Sequence, residues 1–227
     1  MESTNKTVNQ IVSKQRVSSH GEVFTAPKEV NAMLDLVKQE TQRIDSRFLE
    51  PACGKGAFLT EILKRKLKIV KDRYSKSQIE YERYAFLSVT SIYGIDILQD
   101  NVDDCINSLM EIFQQEYKDS LKKDCSKEYF DSVKFILTKN IICGDALTLK
   151  RVDEPNIPIV FCEWSSINGK LYKRKDFIFE QLIESSLASD FEKSDLGKDV
   201  WFPKPVKEYP LTHYLKLKDI EKTTYKQ

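Results

Sequence analysis

The 227-residue chain has almost no excess charge, with 36 Lys and Arg against 35 Asp and Glu and a formal net charge of +1. This excludes a protein that wraps nucleic acid by bulk charge. Histidine is nearly missing, with only His20 and His213, and the five cysteines at 53, 105, 125, 143 and 162 form no CxxC pair. No metal site is expected from such spacing, and an odd set of scattered thiols reads as reduced and mainly buried. The longest apolar stretches, such as 157–162, fall far short of the ~20 residues that span a bilayer, so no membrane partner is expected. Residues 1–15 are polar and lack the apolar segment of a secretory signal, which points to a cytoplasmic protein. What is present suffices for an ordinary core: 41% of residues are hydrophobic and 31% charged.

Along the chain, residues 1–19 form a polar lead-in, read as a mobile or docking segment. Pro27 then opens a helix expected over about 27–40, with Val30, Met33, Leu34 and Val37 at helical spacing. Residues 47–50 are a short extended run. After them Leu59, Ile62, Leu63, Leu67 and Val70 line one face of a helix. The unit recurs, with 92–97 extended and Val102, Ile106, Leu109 and Phe113 on one helical face, and 141–143 and 157–162 supply two more strands. Strands alternating with helices predict an α/β fold, a mostly parallel sheet with helices on both faces. The domain is expected over 20–184. From 185 to 227 an extended tail follows, interrupted by Pro203, Pro205 and Pro210 and carrying Trp201, Phe202, Tyr209 and Tyr214.

Only seven glycines occur, so the pair Gly54 and Gly56 is unexpected by chance, at ~0.2 GxG pairs for this composition. It sits between the first strand and its helix, where glycines let a ligand approach the backbone and the helix N-terminus offers free N–H groups. A tight strand-to-helix turn is the plainer alternative. A P-loop is excluded because no Ser or Thr follows Lys55, and a dinucleotide fingerprint is disfavoured because Leu59 stands at its third glycine position. Glu50, Asp96 and Asp145 stand at or just beyond three strand ends, a set suited to a hydroxyl-rich, cationic ligand. A turn or helix cap is the lesser alternative for Asp96 and for Asp145, given that both fall at strand ends.

LEPACGKGAFL (49–59), YGIDI (93–97) and ICGDAL (142–147), preceded by GEVFTAPKEVNAML (21–34), resemble the cofactor motifs of class I S-adenosylmethionine-dependent methyltransferases. In form they are most similar to the adenine-specific DNA methyltransferases of restriction-modification systems. The resemblance implies a Rossmann-like fold, here cut short, and S-adenosylmethionine as cofactor. It implies that Phe24 and Thr25 contact the cofactor, although Ala26 intervenes before Pro27. It gives Glu50 and the backbone of Ala52, Gly54 and Gly56 the methionine moiety. Asp96 would receive the ribose hydroxyls, with Ile97 packing on the adenine. Asp145 would accept from the adenine amine, with Ala146 or Leu147 closing the pocket.

The resemblance stops at the acceptor side. That family carries an NPPY-like tetrapeptide after its fourth strand; here the matching place reads PIVFCEWSS (158–166) and no such tetrapeptide occurs. Were the fourth strand parallel to the others, Glu163 would accept from the target amine and Trp164 would stack on a flipped base, as catalytic candidates. A strand that simply runs on into a turn at Asn168 and Gly169 is the alternative. Lys170, Lys173, Arg174 and Lys175, interleaved with Tyr172 and Phe177, are candidate nucleic-acid contacts or a solvated hairpin. Three functions are thus expected in turn. The leading one is a DNA methyltransferase-like protein with DNA as substrate and a partner or specificity subunit. The second is a cofactor-binding or scaffold protein that has lost transfer, and the third a methyltransferase of small molecules or proteins.

Overall fold

The computed structural model describes residues 25–191 and 203–223. The lead-in 1–19, Phe24, Trp201 and Phe202 lie outside the described residues. The first helical segment is broken: α1 (Pro27–Leu36) and α2 (Lys38–Thr41) are separated at Val37, whose φ of −114° departs from helical geometry. The expected single helix over 27–40 is therefore two pieces. Proline at the first helical turn and the Glu29 carboxylate accepting from the Ala26 N–H (3.2 Å) start α1.

Three strands form a parallel core: β1 (Phe48–Glu50), β2 (Ile92–Asp96) and β3 (Ile141–Asp145). A short β4 (Lys150–Arg151) adds antiparallel to β3, giving the order β1-β2-β3-β4. Each crossover holds two helices, α3 (Ala57–Tyr74) and α4 (Gln78–Thr90), then α5 (Gln99–Leu121) and α6 (Lys127–Asn140). The predicted apolar stripe of α3 is buried, as are Val102, Ile106, Leu109 and Phe113 of α5. Ser77 and Ser126 accept from backbone N–H groups of the first turns of α4 and α6, setting where those helices begin.

Alternate side chains of the parallel strands go to opposite faces. Ile92, Ile141 and Cys143 join the large core with α3–α6, whereas Tyr93, Ile95 and Ile142 pack in a smaller cluster with Ile159, Phe161 and two residues of the last long helix, Phe179 and Leu182. That helix, α7 (Phe179–Phe191), runs across the boundary expected near 185.

The chain after β4 departs most from expectation. Among the described residues β5 (Val160–Ile167) joins no parallel sheet; it forms an antiparallel hairpin with β6 (Leu171–Ile178) through the turn at Asn168 and Gly169. The C-terminal segment then adds β7 (Lys207–Glu208) and β8 (Thr212–His213) to β6, followed by a 3-10 turn (Tyr214–Asp219) and α8 (Ile220–Thr223). Tyr209, Leu217 and Ile220 are buried in the main core, so the proline-rich end is an integral layer. Three prolines bar a long helix there but leave short pairings with β6 open.

Candidate functional site at the strand ends

Between β1 and α3 the chain makes a six-residue turn that is fastened to the neighbouring strand: the Cys53 N–H donates to the Ile95 carbonyl at 2.9 Å, and the Gly56 N–H to the Cys53 carbonyl at 2.8 Å. Gly56 caps α3 at φ +89°, a left-handed conformation open to glycine, and a Cβ there would stand 2.7 Å from the Cys105 Sγ on α5. The loop is thus pressed directly against α5. Behind it, a Cβ on Gly94 of β2 would come within 2.9 Å of Leu59 and 3.0 Å of the Cys53 Sγ, so this strand must be bare for α3 and the loop to seat. A thiol hydrogen bond with Cys105 raises the Cys53 pKa, as does burial, and both sulfurs are buried. Among the described residues no side chain caps α3, and the first N–H groups of such a helix end are available to a ligand or water.

Asp96 organises this end of the sheet. Its Oδ2 accepts from the Gly54 N–H at 2.8 Å; its Oδ1 accepts from the Leu98 N–H at 2.9 Å and from the Asn101 Nδ2 at 3.2 Å. One carboxylate therefore ties the glycine loop to the start of α5. Of its roughly four lone-pair positions three are taken, which leaves room for one further donor. Asn101, buried on α5, was not singled out from sequence; its only signal is its place five residues beyond Asp96, in the first turn of the helix.

Glu50 is half buried, and burial raises its pKa against the opposing pull of the Ala52 N–H. Asp145 turns back on its own loop, with Oδ1 accepting from the Leu147 N–H (2.8 Å) and Oδ2 from the Thr148 hydroxyl (3.0 Å). The Leu147 hydrogen bond, chiefly, holds its carboxyl below the usual range. This is the turn-cap geometry weighed as the alternative for Asp145. Ile97 and Leu147 are exposed, at 45% and 94%, and Ala146 packs on the smaller cluster. Thr25 is partly buried just before α1. The structure thus brings Glu50, Ala52, Gly54, Gly56 and Asp96 to one sheet edge, with Asp145 and its loop beyond the next strand of that edge.

No family model matches the chain, and neither a curated protein nor a solved structure matches it. The site therefore rests on its own geometry.

Glu163 and Trp164 are at the other end of the sheet. β5 passes the parallel strands in reverse: Ile159 lies against Gly144, near the C-terminal end of β3, whereas the Trp164 Nε1 donates to the Asn140 Oδ1 (2.9 Å) just before β3 begins. Asn140 also donates to the Ile92 carbonyl (3.0 Å) at the start of β2. Four residues of extended chain, about 13 Å, separate that point from Asp96. Glu163 meets Arg47, the residue before β1, at 3.4 Å. The expectation that a parallel fourth strand would deliver Glu163 and Trp164 beside the cofactor motifs is overturned by the antiparallel pairing of β5. Trp164 is a core side chain, 7% exposed and edge-on to Phe135.

The basic cluster is also divided. Residues of β6 alternate, so Arg174 turns inward, 3% exposed, where its guanidinium grips Asp176 (2.7 and 2.9 Å) and Glu221 (2.7 Å). Burial opposes this charge, and the two carboxylates outweigh it and raise its pKa. Lys173 and Lys175 pair with Glu208 at 2.7 and 3.5 Å. Arg174 is thus no part of a shared basic surface with Lys170, Lys173 and Lys175.

One feature escaped the sequence. A cleft of about 550 Å³ opens beside β1, walled by Phe48, Leu49, Tyr93, Phe161, Phe179 and Leu182, with the Arg47–Glu163 pair beside it. Its residues come from β1, β2, β5, β6 and α7, with Pro203 beside them, so no local pattern marks them. The Tyr93 hydroxyl donates to the Cys162 carbonyl (2.8 Å) at its floor, and burial raises that phenol's pKa.

Proposed function

We propose that this chain is a Rossmann-like S-adenosylmethionine-binding protein of the DNA methyltransferase type, and that its strand-end loop and acids hold the cofactor. The observation that carries the reading is the clustering of the glycine loop, Glu50 and Asp96 at the C-terminal edge of parallel strands, where open α/β sheets take their ligands. In this reading the free N–H groups of α3 face the methionine carboxylate and Glu50 its ammonium. Asp96 takes one ribose hydroxyl, and Asp145 offers an acceptor to the adenine amine. The cofactor would supply an electrophilic methyl group. Because Glu163 and Trp164 stand at the opposite sheet end, transfer to adenine in DNA calls for acceptor-side groups other than these two, which this reading assigns to a partner.

A second reading, a cofactor-binding protein without transfer, is favoured by the antiparallel course of β5, which carries the residues after the fourth strand away from the loop. Titration calorimetry with S-adenosylmethionine and its demethylated product tests the shared premise. The expected result is binding by the wild type and at least about a tenfold loss in a folded Asp96→Ala variant; no binding by the wild type refutes both readings. Incubation with methyl-labelled cofactor and DNA, RNA, protein and metabolite pools then separates them. Label in DNA supports the first, label elsewhere another acceptor, and none despite binding the second.

A further inference from the structure

We propose that the outer edge of β1 and the cleft beside it receive an extended segment of a partner protein, which pairs as an added strand and seats a bulky apolar side chain in the cleft. In the parallel ladder Phe48 donates to the Ser91 carbonyl (2.9 Å), and Phe48 and Glu50 face β2. By the alternation of a parallel strand, the N–H and C=O of Leu49 point the other way. β1 ends the sheet order, and among the described residues no strand pairs with that side. The strand is three residues long and is followed by Pro51, so it offers one outward pair of backbone groups, those of Leu49, whose side chain is 40% exposed.

The cleft adjoins this edge. Leu49 is in register with Tyr93, so their side chains share the sheet face on which Phe161, Phe179 and Leu182 form the aromatic wall. A compact ligand could fill the cleft but would leave the Leu49 amide and carbonyl unmatched. An extended chain supplies a carbonyl and an N–H to them and places alternate side chains toward the cleft. Charge sets its polarity: the Arg47 guanidinium is 68% exposed and held by Glu163 at a long 3.4 Å, so an acidic residue at one end of the segment would complement it. The matching partner is an extended segment with bulky apolar residues at alternate positions and an acid at one end. This inference does not depend on the cofactor reading.

The test uses the wild-type protein and a library of capped seven-residue peptides. Selection is expected to enrich large apolar residues at alternate positions with an acid at one end. Hydrogen exchange of the Leu49 amide should slow when the best peptide binds. N-methylation of the peptide amide facing Leu49 should weaken binding at least about tenfold, the loss of one backbone hydrogen bond. Leu49→Pro should do the same, since it removes the outward N–H together with a side chain of the cleft wall; the N-methylated peptide isolates the backbone hydrogen bond in the unaltered fold. No alternating enrichment, or affinity indifferent to N-methylation, overturns the proposal. Self-association of the chain that Leu49→Pro abolishes would make a second copy the occupant and overturn it too. Cofactor calorimetry on the same samples keeps failure here apart from failure of the cofactor reading.

Discussion

Replacing Asp96 by alanine removes one carboxylate and strands three donors at once: the N–H groups of Gly54 and Leu98 and the side-chain amide of Asn101. Hydrogen bonds to a charged group are worth about 1.5–3 kcal/mol each. The sum would be an overestimate, because the site lies at an open strand end where water can reach part of what is freed. Asp96 itself is 8% exposed. A loss of about 3 kcal/mol is expected, which for a domain of this size lowers the melting temperature by roughly 6–12 °C. Asp96→Asn keeps one acceptor oxygen but turns an NH2 toward an N–H donor, so it should fall between wild type and alanine. Asn101→Ala removes one donor of the three and should lose about 1 kcal/mol. Urea unfolding followed by circular dichroism, with unchanged m-values, measures all three. An Asp96→Ala variant within about 1 kcal/mol of wild type would refute the view that this carboxylate ties the loop to α5.

Burial pushes the Lys66 ammonium down to about 7. It is fully enclosed, with the Ile44 and Ser46 carbonyls and the Ser91 hydroxyl as acceptors. Below pH 7 both folded and unfolded chains hold this proton. Between about 7 and 10 only the unfolded chain does, so this group makes stability rise with pH, by up to about 1.4 kcal/mol per unit. Urea titrations of wild type and Lys66→Met at pH 7 and 9 should diverge in that sense, and parallel curves would contradict it. Arg174→Met leaves Asp176 buried without its cation and should cost about 3–5 kcal/mol in urea unfolding, with much of it recovered when Asp176 is also made leucine; an unaffected single variant would dismiss the pair. Trp164→Phe should lose about 1–2 kcal/mol through the unpaired Asn140 oxygen while leaving S-adenosylmethionine affinity within about twofold by calorimetry. A tenfold weaker cofactor would place Trp164 near the loop after all.

The parallel core was legible because its signals are local. The stripe from Leu59 to Val70 and the acids closing short apolar runs are each contained within a few residues. By contrast, α4 passed unnoticed. It buries Tyr81, Ala85, Phe86, Ser88, Val89 and Thr90, and a helix covered on several sides, with hydroxyls among its buried groups, shows no clean polar face. The course of β5 was illegible for another reason. An apolar run fits a parallel or an antiparallel strand equally, and its partner β6 alternates Tyr172, Arg174 and Asp176 inward, so the inward face reads as polar. Arg174 looked like a surface cation because its neutralising partners, Asp176 and Glu221, are two and 47 residues away. Within the candidate site, the loop and acids were visible as motif and spacing. The clamp by Asn101 and the cleft beside β1 exist only once distant elements meet.

Asn140 closes α6 with its side chain in both sheets at once, donating to the Ile92 carbonyl of the parallel sheet and accepting from Trp164 of the hairpin. With the Tyr93 hydroxyl on the Cys162 carbonyl, this means that peeling the hairpin away would leave buried polar groups on the parallel sheet without partners. The two sheets are therefore expected to open together. The amides of β5 should exchange with solvent at rates set by global unfolding, like those of β2, rather than as a separate subunit of stability.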